Sequence, residues 1–203
     1  MKIIDISQEI REDMAVYPGN PAPKIEKYAQ IPLNKTNESI IKIGSHCGTH
    51  VDSLLHIRNN AKSVIDFPLD CFYGKCKVLE LTSCGSRIDK KDIEKEDIPE
   101  NSIVLLKTKN SGLRDRDFNE DYIYLTEEAA EFIASKNIKA LGIDYLSVNK
   151  FKSSDKVHEI LLQKMPIIEG IKLKNVVPGN YIFSGFPLKI NLDGSPIRAV
   201  LIK

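Results

Sequence analysis

Residues 125–144, LTEEAAEFIASKNIKALGID, place the tightest constraint on the fold. Leu125–Lys136 predicts a helix: Thr126 can cap it, and its glutamates fall in the first turn, where the macrodipole favours negative charge. Ala140–Asp144 follows as a short apolar run and predicts a buried strand. Ser154–Lys164 predicts a second helix, capped by the serine, with Val157, Ile160 and Leu161 on its apolar side. The rest is strand-rich. Lys2–Ser7 alternates, Ile25–Ile31, Glu38–Gly44, Lys75–Leu81 and Ser102–Thr108 read as strands, and Pro166–Ile168 is extended. The C-terminal PLKINLDGSPIRAVLIK predicts two strands around an Asp193-Gly194 turn. Met14–Lys24 is a loop dense in proline and glycine. Strands at both ends with helices in the second half imply a mixed α/β or α+β fold, and 203 residues suit a single domain spanning 1–203.

Composition removes several classes of function. A formal net charge of +1 leaves no electrostatic footprint for nucleic acid or an anionic membrane. No apolar run approaches the roughly 20 residues of a membrane-spanning helix. The opening MKIIDISQEIRED turns charged too early for a secretory signal. Four cysteines without a CxxC pair suggest reduced thiols in a cytoplasmic protein. Neither GxxxxGK[ST] nor GxGxxG is present, so the sequence carries no phosphate-loop or dinucleotide-binding signature. Tyr17, Pro18, Phe67 and Phe72 are candidates to line an aromatic pocket.

The chemistry concentrates in HCGTHVDSLLH, residues 46–56, which holds three of the four histidines. Gly48 and the β-branched Thr49 and Val51 argue against a helix there. On a strand, His46, His50, Asp52 and His56 share one parity, and Cys47 turns away. A flat strand would hold His46 and His50 roughly 13 Å apart, too far for one ion. A bend at Gly48 would bring them together. Two imidazoles and a carboxylate suit Zn²⁺, Mn²⁺ or Fe²⁺ and leave coordination open, as a catalytic site requires. His56 is then free to relay protons.

HCGTHVDSLLH resembles the HxGTHxDxxxH signature of the cyclase-like metal-dependent hydrolases, which include bacterial kynurenine formamidases (arylformamidases) and isatin hydrolases. Further segments in the same order resemble that family. YPGNP (Tyr17–Pro21) is similar to its Y-P-G-D-P loop, with Asn20 for Asp. GIDYLSV (Gly142–Val148) is similar to its G-I-D-x-x-S segment. His158 followed by IIEGI (Ile167–Ile171) is similar to its H…L-E-G-L pair, and SPIRAVLI to its closing strand. Leu54 stands where the family commonly has proline. The resemblance implies a swivelling β/β/α architecture and a homodimer or higher oligomer. It implies His46, His50 and Asp52 as ligands of a Zn²⁺ or Mn²⁺ ion. His158 and Glu169 would be ligands of a second ion bridged by Asp52, giving one or two ions per chain, and His56 the catalytic acid/base. The implied reaction is hydrolysis of a small amide, foremost an N-formylkynurenine-type arylformamidase reaction using metal-bound hydroxide. Isatin-hydrolase-like cyclic amide cleavage, other cyclase-family chemistry and a non-catalytic ligand binder stay open as alternatives.

Overall fold

The computed structural model describes residues 1–203. Its centre is three neighbouring parallel strands, β5 (Tyr73–Glu80), β7 (Ile103–Lys107) and β9 (Ala140–Ile143). β7 and β9 are nearly continuous apolar runs because both their faces are covered, whereas the first half of β5 alternates with lysines. Val104, Leu106, Leu141 and Ile143 point into one core, and Ile103, Leu105 and Ala140 into another on the opposite face. The first core is roofed by helices α1 (Lys90–Ile93), α2 (Glu127–Ala134) and α3 (Lys156–Leu162). Thr126 caps α2 as its sequence implies, accepting a hydrogen bond from Ala129 N–H.

The remaining strands extend this centre into a nine-stranded sheet. They are β1 (Ile3–Asp5), β4 (His50–Asp52), β10 (Ile167–Glu169), β11 (Gly179–Ser184), β12 (Gly194–Pro196) and β13 (Val200–Ile202). The order is β1-β13-β11-β5-β7-β9-β10-β4-β12. β12 closes one end and β13 lies next to the other, yet only Ile197–Ala199 separates them in the chain. The sheet therefore curls until its ends nearly meet. Ile197 N–H donates to Thr49 O (2.9 Å) and Ile6 N–H to Ala199 O (3.1 Å) across the junction. The concave face holds the second core, which includes Val51, Ile168, Phe183 and Leu201. This is the mixed α/β layering expected. Outside it, β2 (Lys24–Ala29) and β3 (Glu38–Lys42) form an exposed antiparallel ribbon, and β6 (Arg87–Ile88) pairs with β8 (Tyr124–Leu125). No helix is long and apolar enough to cross a membrane.

Two local expectations fail. Asp155, not Ser154, occupies the N-cap of α3, and its side chain makes no capping bond. Asp193-Gly194 is no two-residue hairpin turn: Gly194 already lies in β12, which pairs with β4, and the segment before it pairs with the segment after it only in an isolated bridge between Pro187 and Ile197. The free edge of β4 outcompetes the local turn. It offers ladder bonds to β12, and Ser53 donates to Asp193 O from both its N–H (2.9 Å) and its hydroxyl (2.8 Å).

Candidate active site

The site is assembled where β4 meets β10. Their antiparallel register sets His50 opposite Glu169, and the two-residue period brings Asp52 to the same face as His50. Just before β4 the chain bends at Gly48, whose φ of +65° suits glycine. The bend swings His46 back, so the His46 and His50 rings lie 5.1 Å apart instead of a flat strand's spacing. Gly170 follows Glu169 with φ +69°, and a Cβ there would meet Gly48 O at 2.3 Å. The two glycines let the backbones carrying His50 and Glu169 cross in direct contact. His158 comes from α3 and is 6% exposed.

All six residues singled out in the sequence meet here. Asp52 is the hub, with no exposed surface. Its Oδ1 lies 2.7 Å from His46 Nδ1 and 3.3 Å from His50 Nε2, and its Oδ2 lies 3.6 Å from His158 Nε2. Glu169 completes the cluster, with Oε1 3.2 Å from His158 Nε2 and Oε2 3.7 Å from His50 Nε2. Two backbone contacts orient the donors. His50 Nδ1–H donates to Gly48 O (2.9 Å), which leaves Nε2 with a lone pair toward the cluster, and Val148 N–H donates to Glu169 Oε1 (2.7 Å). His56 stands beside the cluster, its ring 4.0 Å from that of His46 and 5.8 Å from that of His158.

The donor set fits a divalent cation. Asp52 Oδ2 is buried and makes no hydrogen bond, an expensive state for a carboxylate oxygen unless a cation meets it. Two groups have ligand atoms close enough together to share an ion, His46–Asp52–His56 and His50–Asp52–Glu169, with Asp52 common to both. Without metal, protons do this work. Burial opposes charge on His46, but Asp52 and then Asp193 override it and hold its pKa up to about 9. Burial likewise opposes charge on Asp52, yet His46 and His50 keep its carboxyl well below the ordinary range. Burial, together with the nearby His46 and His158, pushes His56 down, so it is neutral at pH 7.

A pH dependence follows. The folded pKa of His46 lies above its unfolded value of 6.5, so its ion pair stabilises metal-free protein fully below pH 6.5 and is lost as pH rises through about 9. The effect is on the order of 3 kcal/mol. Metal affinity should change in the opposite sense over the same window, because an ion at His46 must displace a proton. Thermal melts of chelator-treated protein from pH 6.5 to 9 check this. A midpoint that holds steady or rises would remove the His46 pair from the account.

Other expectations divide. Tyr17 and Pro18 line a cleft of about 330 Å³ over the histidines, together with Asn20, Leu146 and Lys150. Phe67 and Phe72 do not: Phe72 is buried in the second core and Phe67 packs against that core. Both follow short 3₁₀ turns, residues 64–66 and 69–71, that lead into β5. Cys47 does turn away, its sulfur 4.0 Å from that of Met14. Leu54 opens a 3₁₀ turn ending at His56, a position where proline and leucine are both accommodated because the turn does not use that N–H. One participant escaped the sequence reading. Asp193 Oδ2 lies 2.6 Å from His46 Nε2 and 3.7 Å from His56 Nδ1. The Asp-Gly pair had the look of turn chemistry, and no local signal ties it to a histidine 147 positions away.

The family description "Putative cyclase" matches residues 4–150, most of the chain. This chain belongs to the cyclase family. Among curated relatives, kynurenine formamidase of Bacillus thuringiensis subsp. konkukian is 29% identical over 202 residues, covering 98% of this chain and 96% of the relative. Kynurenine formamidase of Bacillus anthracis is 29% identical over 204 residues, covering 98% and 97%. A solved structure described as a potential metal-dependent hydrolase with cyclase activity superposes with a TM-score of 0.88 at 36% identity, covering 98% of this chain and 96% of that one. An isatin hydrolase bound to thioisatinate shares the fold, with a TM-score of 0.83 at 16% identity over 98% of this chain and 91% of that one.

Proposed function

We propose that this protein is a metal-dependent hydrolase of small amides, and specifically an arylformamidase that cleaves an N-formylkynurenine-type substrate to formate and the free aryl amine, a step of tryptophan catabolism. The observation that carries the reading is the convergence of His46, His50 and His158 on Asp52 and Glu169, with His56 beside them, under one cleft. Similarity to kynurenine formamidases over nearly the whole chain supports the choice of substrate. His46, His50 and Asp52 would hold one Zn²⁺ or Mn²⁺, and His158 and Glu169, with Asp52, would hold a second. When bound, such ions polarise a carbonyl and lower the pKa of water.

The chain's own groups do the rest. Neutral His56, at the edge of the cluster and about a third exposed, takes a proton from the attacking water and returns it to the departing amine nitrogen. Tyr17 and Pro18 form an apolar wall for an aryl group. Lys150 and Asp155 line the same cleft and offer one charge of each sign to the amino-acid end of the substrate. The protein acts in the cytoplasm, in keeping with four free cysteines, and as a homodimer or higher oligomer. Supporting self-association, Ile25, Tyr28, Ile40 and Ile41 are exposed along the β2–β3 ribbon.

The purified protein is expected to carry about one or two divalent ions per chain, following the ligand count, and to hydrolyse N-formylkynurenine. Elemental analysis and an assay over aryl formamides, isatin-like lactams and simple esters test this. Absence of metal even after reconstitution with zinc or manganese would sink the reading. Turnover of lactams alone would redirect it to cyclic amides.

A further inference from the structure

We infer that Asp193 is a positioning residue that orients His46 for metal binding, an assignment that rests on the metal site proposed above. His46 is held between two carboxylates, with Nδ1 2.7 Å from Asp52 Oδ1 and Nε2 2.6 Å from Asp193 Oδ2. Asp52 is the buried hub that the other ligand atoms face. Asp193 lies at the rim, its side chain 36% exposed. The two ring nitrogens therefore have different tasks. Nδ1 faces the cluster, and Nε2–H is tied outward to Asp193. A histidine whose outer N–H is captured by a carboxylate presents the other nitrogen as a lone pair in a fixed direction.

The segment around Asp193 is built for this task. Ser53, which directly follows Asp52, anchors the Asp193 carbonyl through both its N–H and its hydroxyl. Ser45, which directly precedes His46, donates its hydroxyl to Asp193 Oδ2 at 3.2 Å. β12 places Gly194 opposite Asp52, and a Cβ on Gly194 would meet His46 Cε1 at 2.6 Å. The ring thus lies flat against the Gly194 backbone while the preceding residue grips its edge. Asp193 is pinned through its carbonyl by Ser53 and through its carboxylate by Ser45, and its carboxylate bonds only one side chain of the motif, the His46 imidazole. Its distance of 3.7 Å from His56 Nδ1 is too long for a second hydrogen bond.

The test compares zinc affinity of the full chain as wild type, Asp193→Ala and Asp193→Asn, measured by competition with a chromophoric chelator. Alanine should weaken binding by about 10- to 100-fold, the usual cost of removing such a partner. Asparagine, whose Oδ1 still accepts from Nε2–H, should recover most of it. A role in simply closing the chain would show no such recovery, so equal weakening in both variants overturns the inference. So does an alanine variant that binds within twofold of wild type. Should the alanine variant not fold, imidazole ¹⁵N spectra of zinc-loaded wild type decide: His46 is expected with Nε2 protonated and Nδ1 ligating, and the reverse overturns the assignment. Wild type that binds no zinc at all overturns the metal site itself and this inference with it.

Discussion

Replacing His56 by alanine is expected to lower kcat by about 10²- to 10⁴-fold, the usual contribution of a positioned acid/base, with the metal retained. The expectation rests on a difference among the four histidines. His46, His50 and His158 each place a nitrogen 2.7–3.6 Å from an Asp52 oxygen. His56 instead reaches a carboxylate only at Asp193, at 3.7 Å, and its side chain is 34% exposed to the cleft. Burial and its two histidine neighbours keep it neutral, the form able to take a proton. Activity should therefore fall as pH drops through its lowered pKa. Metal analysis of the variant beside its turnover is decisive, because His56 also lies close enough to His46 and Asp52 to share an ion with them. A variant that loses activity and metal in parallel would make His56 a ligand and leave the proton relay without a carrier.

The second large effect is structural. Gly170→Ala should cost about 3 kcal/mol, from strain at positive φ and from steric conflict in a packed site. For a chain of this size that is roughly 6–12 °C in Tm. The new Cβ would sit 2.3 Å from Gly48 O, 3.0 Å from Gly48 C and 3.4 Å from Thr49 Cα. These are backbone atoms and cannot swing aside as a flexible side chain would. Relief requires the two chain segments to part, and those segments carry His46, His50 and Glu169. The variant should thus lose metal affinity along with stability. Thermal melts with and without added zinc measure both, and an alanine variant matching wild type in both would mean that the contact yields easily.

Much of this site is legible in the sequence. The parity of His46, His50, Asp52 and His56, the glycine between the first two histidines and the resemblance of IIEGI to a ligand segment pointed to residues that do converge. Such features are local: spacing and backbone freedom are properties of a few adjacent residues. The helix at Thr126 and the strand at Ala140 were legible for the same reason.

What local chemistry could not express was which distant segments share an edge. Asp193-Gly194 has the propensity of a tight turn, and in isolation nothing contradicts that. The open edge of β4 and the pair of Ser53 hydrogen bonds overrule it, and they exist only once the sheet has curled. The same closure carries Asp193 to His46. The local sequence carries the candidate ligand types, their spacing and the bend that gathers them. Tertiary structure alone decided which carboxylate grips the outer nitrogen of His46, because edge pairing between strands more than 140 residues apart is a contest between surfaces that the unfolded chain does not yet possess.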